Sequence, residues 1–344
     1  DLYGGFAGTE TSRDDRDVAA NVSTISGESA RRCVTGADNA TLDGFTIANG
    51  LASNGGGMYN DDVSPTLANC TFTGNHAGTM GGALRCDGAS ATLTNCSFIQ
   101  NTASAGSGIT DLGGASHYVN CTFRENASSG AMGTVYLASS HSVFNGCLFE
   151  ANSGGTGAAF SIIGGAPQIA NCVFTQNTTS RYAGAVYARG GTCTVTNCSF
   201  TTNVGSDGAI NVCNAGTINI SNSILWGDSG EVYVDPGDEY SDPGTANISN
   251  SCVSGIGSSA GNFSLDPLFV DGTDGGDGFD LRLQPGSPCI DAGTETGAPS
   301  TDFDGLARPL GAGYDVGAYE YASAAPVFVQ TSPVAVTMSE DGAP

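Results

Sequence analysis

The sequence predicts an all-β chain wound into a right-handed parallel β-helix, with three short strands to each turn of 25–26 residues. Cysteines recur at positions 70, 96, 121, 147, 172 and 198, in steps of 26, 25, 26, 25 and 26. Each unit holds three short strand-like runs separated by Gly, Asn, Asp and Ser. The composition agrees: 52 glycines and only 13% charged residues leave few helix formers.

The repeat carries most of the argument, since a fixed period of this length marks a solenoid. Asn-Cys-x-Phe occurs at Asn69-Cys70-Thr71-Phe72, Asn95-Cys96-Ser97-Phe98, Asn120-Cys121-Thr122-Phe123, Asn171-Cys172-Val173-Phe174 and Asn197-Cys198-Ser199-Phe200, with Gly146-Cys147-Leu148-Phe149 between the third and fourth. Degenerate copies begin at Asp43, Asn222 and Asn250. Three residues after each Phe stands an asparagine: Asn75, Asn101, Asn126, Asn152, Asn177 and Asn203. A glycine followed by small and apolar residues comes next, as in Gly82-Ala83-Leu84 and Gly184-Ala185-Val186. A third run, such as Ala91-Thr92-Leu93-Thr94, leads into the following Asn-Cys.

Three strands in one unit leave no room for a helix, so each unit must close one turn and stack on its neighbour. Strand alternation sends Cys and Phe to the same side, which we assign to the interior. Like residues then pile into columns about 4.8 Å apart, and eight or nine turns make a rod of roughly 40 Å. The asparagine column is expected at a tight turn with a left-handed backbone, its amides bonded along the stack. The chain divides into an N-terminal turn or cap (1–39), the repeats (40–261), a C-terminal cap (262–321) and a tail (322–344).

Charge narrows the partners. The net charge is −24, from 34 acidic residues against 10 basic ones, all of them arginine. Such a surface repels nucleic acid, anionic lipid and acidic polysaccharide, and suits calcium, basic partners or plain solubility. No apolar run is long enough to span a membrane, so direct membrane insertion is not expected. Twelve cysteines fit an oxidising exterior. The opening Asp1-Leu-Tyr-Gly-Gly-Phe reads like the middle of a strand, and we expect a piece of a longer secreted protein.

Two resemblances add to this reading. Phe72-Thr73-Gly74-Asn75 with Gly81-Gly82-Ala83-Leu84 resembles the Phe-x-x-Asn and Gly-Gly-Ala-apolar repeat of the polymorphic outer-membrane protein adhesins, over roughly residues 40 to 225. From 265 onward, Leu265-Asp266-Pro267-Leu268-Phe269, the run from Leu281 to Gly293, Asp302-x-Asp304-Gly305-x-x-Arg308-Pro309 and Asp315-Val316-Gly317-Ala318-Tyr319-Glu320 resemble the choice-of-anchor Q domain. That domain ends β-helices of bacterial surface proteins, which implies an extracellular or cell-surface location and a cap over the last turn. Ser332 to Gly342 resembles the first strand of a cadherin-like β-sandwich and is read as a linker, with strand donation to a neighbour as the alternative.

Candidate chemistry is sparse. The cysteine ladder is read as a stack of buried thiols, because parallel Cβ vectors keep neighbours too far apart for disulfides and no Cys-x-x-Cys offers a metal site. Off the ladder lie Cys33, Cys86, Cys193, Cys213, Cys252 and Cys289, where Cys193–Cys213 and Cys252–Cys289 are candidate disulfides. Asp271, Asp274, Asp277 and Asp280 space carboxylates along a glycine-rich loop, the oxygen-rich setting calcium requires, although the spacing matches no standard calcium loop. A solvated insertion is the competing reading. No cofactor other than calcium is expected.

Many parallel β-helices cleave polysaccharides, so acids that share one face are candidate catalysts. A lyase needs a basic residue and a positive groove, which a lysine-free chain supplies poorly. A hydrolase needs converging carboxylates. Of Asp61, Asp62, Asp87, Asp111, Glu125, Glu150 and Asp207, only Glu125 and Glu150 are read as sharing a phase. Directly stacked they would lie about 5 Å apart, as a retaining pair does. An exposed charged column beside Arg124 competes with that reading. The outward column Thr71, Ser97, Thr122, Leu148, Val173, Ser199 is too mixed for an ice-binding ladder. The sequence therefore predicts a non-enzymatic structural or adhesive surface protein. Self-association, end to end or through the tail, and a surface glycan or cell-surface ligand are its expected partners. A polysaccharide hydrolase or lyase is the alternative.

Overall fold

Alternation within Cys-x-Phe places both side chains on the inner side of each turn, and this builds the core. The computed structural model describes residues 1–239, 241–272 and 279–322. Its strands form stacked parallel sheets. Sheet 1 has ten strands, from Leu2–Tyr3 to Thr245–Ser249. Sheet 2, which carries Cys-x-Phe, has ten, from Ser23–Ser26 to Cys252–Val253. Sheet 3 has nine, from Val34–Thr35 to Val232–Val234. No α-helix occurs among the described residues; the single helical element is a short 3-10 turn at Arg13–Asp15. The segment 1–39 is itself part of the solenoid, supplying the first strand of each of these sheets.

The columns stack in register. Phe72 pairs with Phe98 and Phe98 with Phe123, and their rings lie parallel with centroids 5.1 and 4.7 Å apart. Phe174 and Phe200 stack at 4.4 Å and 1°. The six ladder thiols are buried and unbridged. Each donates to a nearby carbonyl, as Cys70 Sγ does to Ala68 O at 3.2 Å, so they fill space as small hydrophobes.

The asparagine column differs from expectation in one respect. Its members are buried, and the left-handed residue is the one before them: Gly74, Gln100, Glu125, Ala151, Gln176 and Thr202. A second set of asparagines does adopt left-handed backbone: Asn69, Asn95, Asn120, Asn171 and Asn197, each just before a ladder cysteine, and Asn222 and Asn250 at the same place in the degenerate copies. Turn geometry thus falls to one residue, and the next is free to bond along the axis. Asn101 Nδ2 donates to Asn126 Oδ1 at 3.0 Å and to Phe72 O at 3.0 Å. The pattern repeats from Asn75 to Asn203.

A short fourth sheet (Leu51–Asn54, His76–Met80, Thr102–Ala105, Ala127–Ser128) follows this turn. It explains the Gly-Gly-Ala motif. Gly81 sits at φ +69, and a Cβ on Gly82 would lie 2.3 Å from Ser107 O in the next turn, so backbone stacks on backbone at this corner.

The ladder ends on an acid. Asp228 Oδ1 accepts from Asn203 N (2.6 Å) and Nδ2 (3.0 Å) as another asparagine would. Its Oδ2 finds no donor, and the Glu231 carboxyl lies beside it. Burial, then Glu231, pushes Asp228 well above the carboxylate range. A carboxyl raised on folding weakens the fold above its folded pKa, and the loss disappears as pH falls to the unfolded value near 4. Asp228→Asn is therefore expected to raise Tm by a few degrees at pH 8 and to narrow the gap between melts at pH 5 and pH 8. An unchanged gap would refute this.

The C-terminal segment does not lie where a cap over the last turn would. Ile256, within residues 254–264, closes against the end of the core. Residues 265–272 and 279–321 instead lie along the outer face of sheet 2. Phe269, Leu281, Leu283, Val316 and Ala318 bury Val173, Ile224 and Cys252, which point outward from the solenoid. Asn171 Nδ2 donates to Thr301 O, Asn197 Nδ2 to Asp315 O and Asn222 Nδ2 to Thr294 O. The left-handed asparagine turns thus serve as docking points, and the segment is a flank cover.

Candidate functional site

The acids picked from the sequence do not converge. Glu150 lies one residue after Phe149, whereas Glu125 lies two after Phe123, so strand register sets Arg124 beside Glu150. Arg124 Nε donates to Glu150 Oε2 at 2.8 Å. Glu125 stands at the left-handed turn and accepts from Gln100 Nε2 at 2.7 Å. The expected carboxylate pair is therefore replaced by an ion pair and a turn contact. Asp87 binds Arg85 and Tyr59. Asp111 lies inside the core, where Ser142 Oγ donates to it at 2.7 Å and burial raises its pKa.

Of the expected calcium loop, Asp274 and Asp277 lie outside the described residues. Asp271 and Asp280 face each other across an antiparallel hairpin, Phe269–Asp271 with Asp280–Leu283, and Asp280 bonds Arg282 at 3.2 Å. Among the described residues no three His, Cys, Asp or Glu side chains gather as metal ligands.

Cys193 belongs to the main core and Cys213 to a separate cluster with Tyr187, so that candidate disulfide is not formed. Cys252 and Cys289 do meet, beneath the flank cover, as free thiols. The Cys289 thiol bonds to Cys252 sulfur and holds Cys252 below the usual thiol range. Because this pair lies under the flank cover while the ladder lies inside the solenoid, exposure to a small disulfide such as oxidised glutathione is expected to join it before any ladder cysteine, as read by peptide mapping without reductant. Linkage among ladder residues first would contradict it.

Four charged motif residues of the C-terminal segment, Asp302, Arg308, Asp315 and Glu320, turn out to be internal. Arg308 and Glu320 are fully buried and bonded at 2.6 Å. Asp302 Oδ2 accepts from Glu320 N and Oδ1 from Leu306 N. Asp315 accepts from the backbone of Asp291 and Tyr321, and burial pushes it up to about 6. These charges tie the cover together rather than facing solvent.

A different face holds groups unspent on the fold. On the outside of sheet 3 one column runs Tyr136, Ser161, Tyr187, Asn211, Tyr233. Tyr182, from the preceding loop, stacks on Tyr187 at 6.0 Å and 18°. Tyr182 and Tyr233 remain 50% and 43% exposed. Between them opens a cavity of about 180 Å³, lined also by Asp207, Asn211, Asn214 and Asp235. Asn211 is 3% exposed; its Nδ2 donates to Asp207 Oδ2 at 2.8 Å, and its Oδ1 has no partner.

Sheet order, register and inward columns are those of a stacked coil, and comparison with known proteins agrees. The right-handed β-helix region family matches residues 13–164 and, overlapping, 86–225. The chain belongs to that family. A crystal structure of pectate lyase Pel9A resembles this β-helix at a TM-score of 0.50 and 18% identity, over 88% of this chain and 77% of that one. At that identity the likeness is one of fold. No curated protein matches.

The tyrosine face lies outside the acids on which the sequence reading of the site rests. Its signal was present in this β-helix chain: Val-Tyr recurs at 135–136, 186–187 and 232–233, each time opening a sheet 3 strand. Asn211 had no such signal, since only the structure reveals an acceptor left without a donor.

Proposed function

We propose that the chain is a non-enzymatic structural and adhesive element of a cell surface, a stiff acidic rod that holds binding faces at a distance. The observation that carries this reading is the occupation of the acids. Glu150 is neutralised by Arg124, Glu125 is engaged at a turn, and their positions are offset by one residue. The in-register amide and aromatic columns supply stiffness without a moving part. The likeness to the adhesin repeats and to the choice-of-anchor Q domain supports a surface location. A fold shared with a pectate lyase leaves polysaccharide cleavage as the alternative, because one scaffold hosts many activities.

The test is a screen of neutral and acidic polysaccharides for new reducing ends or unsaturated products. No turnover is expected. Turnover lost in Glu125→Gln or Glu150→Gln would replace the adhesive reading with a hydrolase.

A further inference from the structure

We propose that the cavity between Tyr182 and Tyr233 binds one hexose unit of a neutral polysaccharide. This deepens the adhesive reading and rests on it. The cavity's groups define what fits. Two half-exposed aromatic rings border it, with Tyr187 buried beneath Tyr182 as backing. Ring faces are electron-rich and pair with the slightly positive C–H face of a pyranose, at little entropic cost because Tyr has few rotatable bonds. A volume of about 180 Å³ is below that of drug-sized pockets and suits a single ring with its chain continuing outward.

The polar groups complete the definition. Asn211 Oδ1 is a buried acceptor without a donor, a condition that costs stability until a ligand hydroxyl fills it. Asp207 and Asp235 add further acceptors at the same place. A ligand that meets them must donate hydrogen bonds and must not be an anion. Hydroxyl-rich neutral sugars satisfy both demands, while uronic-acid polymers fail the second. Successive turns of the solenoid are about 4.8 Å apart. Tyr187 and Tyr233, two turns apart on one column, therefore span roughly 10 Å, enough for a sugar ring held between aromatic walls.

Affinity electrophoresis of the intact protein tests this, in gels containing soluble galactomannan, xyloglucan, laminarin or polygalacturonate. Retardation is expected with at least one neutral polymer and not with polygalacturonate. Tyr182→Ala/Tyr233→Ala should weaken it at least tenfold with only a small loss of Tm, both rings being about half exposed, and Tyr182→Trp/Tyr233→Trp should retain it. No retardation by any neutral polymer, or retardation untouched in the double alanine variant, overturns the proposal. Turnover in the cleavage screen together with tyrosine-dependent retardation would remove the non-enzymatic reading alone. No turnover and no retardation would remove the binding site alone.

Discussion

Replacing Arg308 with methionine is expected to destabilise the flank cover by about 3–5 kcal/mol, the usual cost of stranding one member of a buried ion pair. Arg308 donates to Glu320 Oε1 at 2.6 Å, to Gly317 O at 2.9 Å and to Asn171 Oδ1 at 3.3 Å, so it joins the cover to itself and to the solenoid. Without it, the Glu320 carboxylate keeps its bonds from Leu310 N and Asp315 N but loses its counter-charge. Asp315 beside it is already raised to about 6 by burial. Protonation of Asp315 relieves its repulsion with Glu320, so the loss should be largest above pH 7 and shrink as pH falls below about 6. Arg308→Met/Glu320→Gln should recover much of it, since removing both charges leaves no lone buried ion. Limited proteolysis reads the outcome: cleavage within 265–321 should accelerate in the single variant while the repeats stay resistant. Once the cover loosens, Val173, Ile224 and Cys252 form an exposed apolar strip, and association at high concentration should follow. Equal protease resistance of single variant and parent would show that the pair contributes nothing.

Much of this fold was legible because a solenoid repeats its physics. Cys70 to Cys198 and Phe72 to Phe200 each face one environment six times over, so phase alone placed them inside. The flank cover was less legible, although a trace existed. The outward column reads Thr71, Ser97, Thr122 and then Leu148, Val173, Ser199, with Ile224 and Cys252 beyond. The apolar residues that enter the column from Leu148 onward mark where residues 265–272 and 279–321 come to lie, with Leu148 at the border and Ser199 accepting from Ala318 N. Read as untidiness, they hid the most useful long-range information in the repeats. The position of the acids failed for a different reason. A repeat of 25–26 residues shifts phase by one between units, and one residue in a strand exchanges neighbours entirely. Counting from Phe123 and Phe149 separates Glu125 from Glu150 at once, so here the information was present and misread. The free Oδ1 of Asn211 belongs to a third kind. It depends on three-dimensional bonding that no spacing encodes.

The asparagine ladder gives the second large effect. Asn126 is fully buried, and its amide serves four bonds. Its Oδ1 accepts from Asn101 N and Nδ2, both at 3.0 Å, and its Nδ2 donates to Phe98 O at 2.8 Å and Asn152 Oδ1 at 3.0 Å. Asn126→Ala strands the two donors of Asn101 and takes a donor from each of the two acceptors. With about 1–3 kcal/mol for each unsatisfied buried group, a loss of about 3–5 kcal/mol is expected once some relaxation is allowed. Asn126→Asp separates the ladder's two roles. A carboxylate still accepts from Asn101, as Asp228 accepts from Asn203 at the ladder's end. Its second oxygen would then face Phe98 O and Asn152 Oδ1, two acceptors, and only a proton can mediate that contact. The introduced acid must carry a raised pKa in the folded chain against about 3.9 unfolded. Its penalty is therefore full above the folded value and fades as pH drops towards 4, which predicts a Tm deficit that is large at pH 8 and small at pH 4.5. Asn126→Ala should show a deficit nearly independent of pH. Parallel melting curves for the two variants at both pH values would mean that the column is held by packing of its neighbours and not by its amides.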